Sequence, residues 1–227
     1  NEATMSYLGN SNFSNLSYKE KGWDNAHAVG YIESHDEERL QYRNIEFGNS
    51  NSNYSTKDPQ TAYDRLGMAA AFFYSIPGPK MIWEFGELAY DFSINRCFDG
   101  SISNDCRLTP KPIRWDYTED QGRADLFLVY KAMMDLRATE SSMHTSNFAT
   151  SLSGPIKQVK LNGESNALLV GNFDMIERSF TANFQTSGWW YDYFTGDSIL
   201  IENTSQELTL LPGEYKMYWD KEFATPN

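Results

Sequence analysis

Basic side chains are scarce in this sequence. Nineteen Lys and Arg face 31 Asp and Glu, which leaves a formal net charge of −12. So acidic a chain argues against nucleic acid and anionic membrane as partners, since both are held by cationic surface. No apolar run reaches the roughly 18 residues that a membrane-spanning helix needs. No signal-peptide pattern is visible either. The chain begins at Asn1 without an initiator Met, so the expectation is a processed chain or a fragment. Histidine is limited to His27, His35 and His144, whose separations match no metal-ligand pattern. Neither metal nor cofactor is expected in this chain. The two cysteines, Cys97 and Cys106, share one polar loop. A bridge there would stabilise by roughly 2–3 kcal/mol. Two reduced thiols fit the same spacing, and the sequence leaves both states open.

Apolar residues make up 40% of the chain and aromatics 15%, enough for a packed core. The many Asn, Ser, Tyr and Trp lean towards an exported protein that meets sugars. A secreted or cell-envelope location is expected on that basis, with the cytoplasm left open. Residues 1–25 read as a polar loop with a short helix, and 27–33 as a strand. The polar stretch 43–57 reads as a loop. Asp58-Pro59 has the chemistry of a helix start, with an acid at the cap and Pro in the first turn. Ala62, Leu66, Ala69, Ala70 and Phe73 recur at helical spacing, so a helix is expected over 60–75. Ile76-Pro77-Gly78-Pro79 stops it, and 80–85 reads as a second strand. Leu126, Val129, Tyr130 and Met133 mark another helix over about 122–138. Strand, helix, strand, helix is the grammar of a parallel α/β unit.

The period changes near residue 147. Ile156–Leu161 alternates, and Asn162-Gly163 is a hairpin signal. Further short strands are expected at 167–170, 179–184, 189–194, 198–201, 208–211 and 215–219. Short strands at that spacing describe an antiparallel sandwich. The fold class expected is α/β plus all-β, with residues 1–145 and 146–227 as the two parts.

One stretch carries chemistry. VGYIESHDEERL, residues 29–40, runs from an apolar strand into a His, three acids and an Arg. Ser34-His35-Asp36-Glu37 fits a capping box, which would make the acids structural. In parallel α/β folds, however, reactive groups gather beyond the C-terminal ends of strands. His35, Asp36 and Glu87 all hold such positions. Glu87 reads as a structural or rim carboxylate, and Glu37, Glu38 and Arg39 as a surface network in which Arg39 can also pair with an acid near the site.

Here the sequence resembles a known family. Glu33-Ser34-His35-Asp36 is similar to the E-N-H-D stretch that ends the seventh barrel strand in the alpha-amylase superfamily (glycoside hydrolase family 13). Pro77-Gly78-Pro79-Lys80-Met81-Ile82-Trp83-Glu84-Phe85-Gly86-Glu87 resembles its eighth-strand segment, P-G-x-P-x-I-Y-Y-G-x-E. Lys111–Trp115 resembles the segment before the last barrel helix, and Leu136-Arg137 the pair that closes that helix. Ser34 departs from the usual Asn, the second Pro stands one place early, and Trp83-Glu84-Phe85 replaces Tyr-Tyr.

The resemblance implies a partial (β/α)8 barrel, its last two strand–helix units, followed by the C-terminal β-sandwich. Asp36 would be the third catalytic carboxylate, which holds sugar hydroxyls in the reacting subsite without attacking or donating a proton. His35 would bind a hydroxyl in the same subsite. The nucleophile lies in a G-x-R-x-D stretch in this family, and no such stretch occurs here. A retaining mechanism needs that Asp and a Glu acid/base. The implied function is therefore a C-terminal fragment of an α-glucan-active hydrolase or transglycosylase, inactive alone, with calcium, if any, held by the missing part. Its partner would be α-glucan, and its bare strand edges should favour self-association. The rival reading is a non-catalytic carbohydrate-binding module using Trp189, Trp190, Tyr191 or Trp219, though core packing explains most such aromatics.

Overall fold

The computed structural model describes residues 1–226. Three α-helices precede eight strands: α1 (Leu40–Phe47), α2 (Pro59–Ser75), α3 (Gln121–Thr139), β1 (Phe148–Ser151), β2 (Ile156–Leu161), β3 (Ala167–Asn172), β4 (Arg178–Asn183), β5 (Gly188–Asp192), β6 (Ser198–Ile201), β7 (Ser205–Leu210) and β8 (Tyr215–Trp219). The two long helices start where the sequence says. Asp58 accepts from the Thr61 N–H at 2.9 Å with Pro59 behind it. Asp120 does the same for Arg123 at 3.0 Å. Each cap satisfies an N–H that the helix itself cannot pair.

The strands form two sheets. One has the order β1-β2-β3-β8-β5-β6, the other pairs β4 with β7, and every ladder is antiparallel. Leu168, Val170, Ala182, Phe184, Trp190, Ile201, Leu210 and Tyr218 fill the space between the sheets. The other face of the large sheet is covered too. Val159, Leu161, Ala167, Leu169, Met217 and Trp219 join Leu66, Phe72, Phe73, Leu126 and Met133 of α2 and α3 in a second core. All six residues of β3 are buried for this reason. An alternating strand with one wet face cannot show that pattern; one walled on both sides must. Gly171 marks the closest approach, since a Cβ there would stand 2.7 Å from the Phe72 ring.

A buried arginine ties the N-terminal segment to this body. Arg65 is fully buried on α2. Its guanidinium donates to the carbonyls of Thr4 at 2.5 Å, Ala3 at 2.8 Å and Phe173 at 2.8 Å. Carbonyl oxygens on two segments take the place of water around one charge.

Several expectations are corrected. Residues 27–33 and 80–85 are not regular strands: the first bends at Ile32, and the second runs into a turn at Glu84-Phe85. They meet at one parallel bridge, Gly30 with Lys80, where the Gly30 N–H donates to Pro79 and the Met81 N–H to Gly30, both at 2.9 Å. Their apolar β-branched character favours extension, but one bridge is not a ladder. The expected loop 43–57 contains most of α1, whose register Leu40, Gln41 and Asn44 bury. Asn162-Gly163 does begin a hairpin connection, but it spans residues 162–166 because Leu161 pairs with Ala167. The N-terminal stretch has two short 3-10 turns, Leu8–Asn10 and Ser14–Leu16.

Candidate functional site

The cluster at 33–39 is not a helix cap. The helix begins only at Leu40, and its cap residue, Arg39, makes no side-chain cap. Glu33 reaches forward instead and accepts from the Leu40 N–H at 2.6 Å. Burial pushes the Glu33 carboxyl up, opposed first by Arg39 and then by the Leu40 hydrogen bond. Ser34 donates to Glu37 through its hydroxyl and accepts from the Asp36 N–H at 3.1 Å, so the capping-box residues close a local turn. Glu38 accepts from the Ser93 hydroxyl at 2.8 Å and the Ile94 N–H at 2.7 Å. Three of the four acids are thus engaged by their own scaffold.

Asp36 and His35 are left outward. Their side chains are 69% and 66% exposed, with His35 Nε2 3.3 Å from Asp36 Oδ2. On the other side, Arg107 lies 3.6 Å from Asp36 Oδ1 and donates to the Asp36 main-chain carbonyl. Each carboxylate oxygen therefore faces one cationic or N–H partner. A carboxylate offers about four lone-pair sites, so acceptor capacity remains on the exposed side.

Aromatic rings floor this surface. His35 packs against Trp83 with ring centroids 5.6 Å apart. The buried Arg39 guanidinium lies 5.9 Å from the Trp83 ring centroid and 4.9 Å from that of Tyr90. It also lies 3.9 Å from Glu33 and 3.8 Å from Glu84. Arg39 is therefore a buried strut rather than part of a surface network. Trp115 stands 69% exposed and edge-on to Phe85 at 4.9 Å.

The turn after Trp83 is backbone-strained. Phe85 and Ala89 hold φ of 56° and 53°, a region that side chains disfavour. Arg123 holds it there by donating to the carbonyls of Leu88, at 2.7 Å, and Ala89, and to Asp91 at 2.7 Å. Strain of this kind gathers near functional surfaces. Glu87 is half-buried on this turn, with one carboxylate oxygen lacking a hydrogen-bond partner among the described residues.

Cys97 and Cys106 are joined in a disulfide. Arg107 follows directly, yet it is 71 residues from Asp36. Nothing in the sequence could have paired them, because loop closure leaves no periodicity to read. Among the described residues no group of three or more His, Cys, Asp or Glu is placed to hold a metal ion. No helix among them is long and apolar enough to cross a membrane. Of the sandwich aromatics, Trp190 and Trp219 are fully buried, whereas Trp189 is 54% exposed.

No protein-family model and no curated protein matches this sequence. Solved structures do match the fold. AmyP in complex with maltose superposes with a TM-score of 0.66 at 15% identity, over 90% of this chain and 42% of that one. The alpha-amylase of Geobacillus thermoleovorans complexed with acarbose gives 0.64 at 12% identity, over 95% and 46%. The chain shares its fold with the alpha-amylases. A cyclomaltodextrinase matches similarly, with a TM-score of 0.66 at 16% identity, over 96% of this chain and 35% of that one. The chain thus spans less than half the length of these alpha-amylase-type neighbours. The shared architecture is helices backed by an antiparallel β domain.

Proposed function

We propose that this chain is the C-terminal portion of a retaining α-glucan-active glycoside hydrolase or transglycosylase. Residues 1–145 would be the last part of the catalytic barrel and 146–227 the C-terminal β domain. One observation carries the reading: Asp36 and His35 project to solvent beyond the segment that bridges Gly30 to Lys80, while Glu33 is buried on Leu40 and Glu38 is tied to Ser93 and Ile94. The alpha-amylase-like fold supports it. In this reading Asp36 accepts hydrogen bonds from two adjacent hydroxyls of one glucose unit. Those bonds strengthen as the ring flattens towards the oxocarbenium-like transition state. His35 donates to a neighbouring hydroxyl, and Trp83 bounds the subsite. The nucleophile and acid/base come from a part of the enzyme outside this sequence, so the chain alone turns over no glucan. The disulfide supports an oxidising, secreted or cell-envelope location.

Titrating isotope-labelled chain with maltotetraose tests the proposal. Amide shifts are expected at residues 35, 36 and 83, with affinity about tenfold weaker in Asp36→Asn, the worth of a charge-assisted hydrogen bond. No shift at these residues at saturating sugar would remove the support. Release of reducing sugar from starch by the purified chain would overturn its inactivity.

Self-association through the open edges of residues 27–33 and 80–85 belongs to the same proposal. Gly30 faces residues 79–81, while Val29, Tyr31 and Trp23 stand exposed beside it. A concentration-independent monomer in sedimentation would count against it.

A second reading, a glucan-binding module, has one observation behind it. Trp189 stands exposed on β5 opposite Leu200, itself 46% exposed. Starch pull-down lost in Trp189→Ala and kept in Asp36→Asn would favour it.

A further inference from the structure

We infer that Arg107 is a positioning residue for Asp36, held in place by the loop that Cys97 and Cys106 close. For its ligand, this rests on the glucan reading of the site above.

The loop and the 33–39 segment are fastened together at two points. At the loop's base, Glu38 accepts from Ser93 at 2.8 Å and from the Ile94 N–H at 2.7 Å. At its far end, Arg107 donates to the Asp36 carbonyl and approaches Asp36 Oδ1 at 3.6 Å. Between these points the loop is pinned internally. The Cys97 N–H donates to Ser101 at 2.8 Å and the Ser103 N–H to Asn95 at 2.9 Å. The Cys106 carbonyl accepts from Lys111 Nζ and from the Thr109 hydroxyl, both at 2.7 Å. The disulfide fixes the span from Cys97 to Cys106, and Arg107 is the next residue. Its backbone is therefore set by the covalent loop, and one guanidinium nitrogen, Nη2, faces both the main-chain carbonyl and the carboxylate of one aspartate.

The consequence concerns aim rather than stability. An exposed carboxylate on a short side chain turns freely unless held. His35 on Oδ2 and Arg107 on Oδ1 fix the plane of this one and leave the outer lone pairs for sugar hydroxyls. Arg suits the task because the two N–H groups of Nη2 have fixed directions in the guanidinium plane, where an ammonium serves as a point charge. The exposed ion pair itself adds little to stability.

The test uses the full chain and three variants: Arg107→Met, Arg107→Lys, and the double variant Cys97→Ser with Cys106→Ser. The readouts are the Asp36 carbonyl carbon shift by NMR, the affinity for maltotetraose, and Tm. Arg107→Met is expected to move the Asp36 carbonyl shift, weaken maltotetraose about tenfold, and leave Tm unchanged. Arg107→Lys should recover part of the affinity. The double serine variant should move the Asp36 carbonyl shift in the same direction as Arg107→Met. An unchanged Asp36 carbonyl in Arg107→Met overturns the role of Arg107, and an unchanged one in the double variant overturns the role of the loop. If the Asp36 carbonyl moves as expected but the wild-type chain binds no maltotetraose, the tether stands and the glucan reading falls.

Discussion

Glu33 and Arg39 form a buried pair, 3.9 Å apart, with side chains 6% and 2% exposed. Glu33 also accepts from the Leu40 N–H, so one carboxylate both neutralises a buried cation and starts α1. Glu33→Ala is expected to cost about 3 kcal/mol, because Arg39 keeps only the exposed Glu84 as counter-charge and the Leu40 N–H loses its acceptor. Glu33→Gln keeps an acceptor for Leu40 and should cost less. Urea unfolding of the three proteins at pH 7 measures this.

Lys80 should make stability pH-dependent. Its ammonium has no hydrogen-bond partner among the described residues and sits 5.3 Å from the Phe73 ring centroid. Burial, with Arg137 adding a smaller push, lowers it to about 7. The unfolded chain then binds more protons than the folded one between about pH 7 and the ordinary lysine value of about 10.4. Stability therefore rises with pH across that window and is flat below it as far as this group is concerned. Lys157, lowered to about 7 by burial, adds in the same sense. Lys80→Met is expected to gain on the order of 2 kcal/mol at pH 6 and to remove roughly half of the slope. Tm measured from pH 6 to 10 decides it.

Gly171 leaves no room for a side chain. A Cβ would meet Phe72 Cε2 at 2.7 Å and Met68 Sδ at 3.2 Å. Gly171→Ala should cost about 1–3 kcal/mol through overpacking. Pairing it with Phe72→Leu should recover part of the loss, which thermal unfolding of the double variant would show.

The neighbours Trp189 and Trp190 should behave oppositely. Trp190 is fully buried, lies 5.0 Å edge-on to Phe184, and donates its indole N–H to Thr186 at 3.1 Å. Trp190→Ala should cost about 3–5 kcal/mol. Trp189→Ala should stay within about 0.5 kcal/mol. Denaturant midpoints for the two variants check the contrast.

The elements legible in the sequence are those with local causes. Asp58 announces α2 because capping chemistry is written in three or four neighbouring residues, and the spacing of Leu126, Val129, Tyr130 and Met133 announces α3. The strands of the β domain are legible because alternation is local too. The segments that meet at Gly30 and Lys80 are harder to read. An apolar run such as 27–33 states that it is buried or extended, but not whether enough partners exist to complete a ladder. Helix α1 escaped notice because its start depends on Glu33, seven residues before Leu40. At the site, His35 and Asp36 could be named from one short motif. Arg107 could not, since the contact depends on a loop whose closure the two cysteines permit without requiring. The pairing of Arg39 with an acid is legible, but its burial is not, because a charged residue in a polar run gives no sign that it will be buried.

Strand β3 is a party wall. Its even-numbered Leu168 and Val170 serve the space between the sheets, and its odd-numbered Ala167 and Leu169 serve the helices. Neither compartment can lose that strand without opening the other. Removing the helical part would leave Val159, Leu161, Leu169, Met217 and Trp219 facing water, so the β layer by itself would be a sticky, half-roofed object. The two halves of this chain stand or melt together.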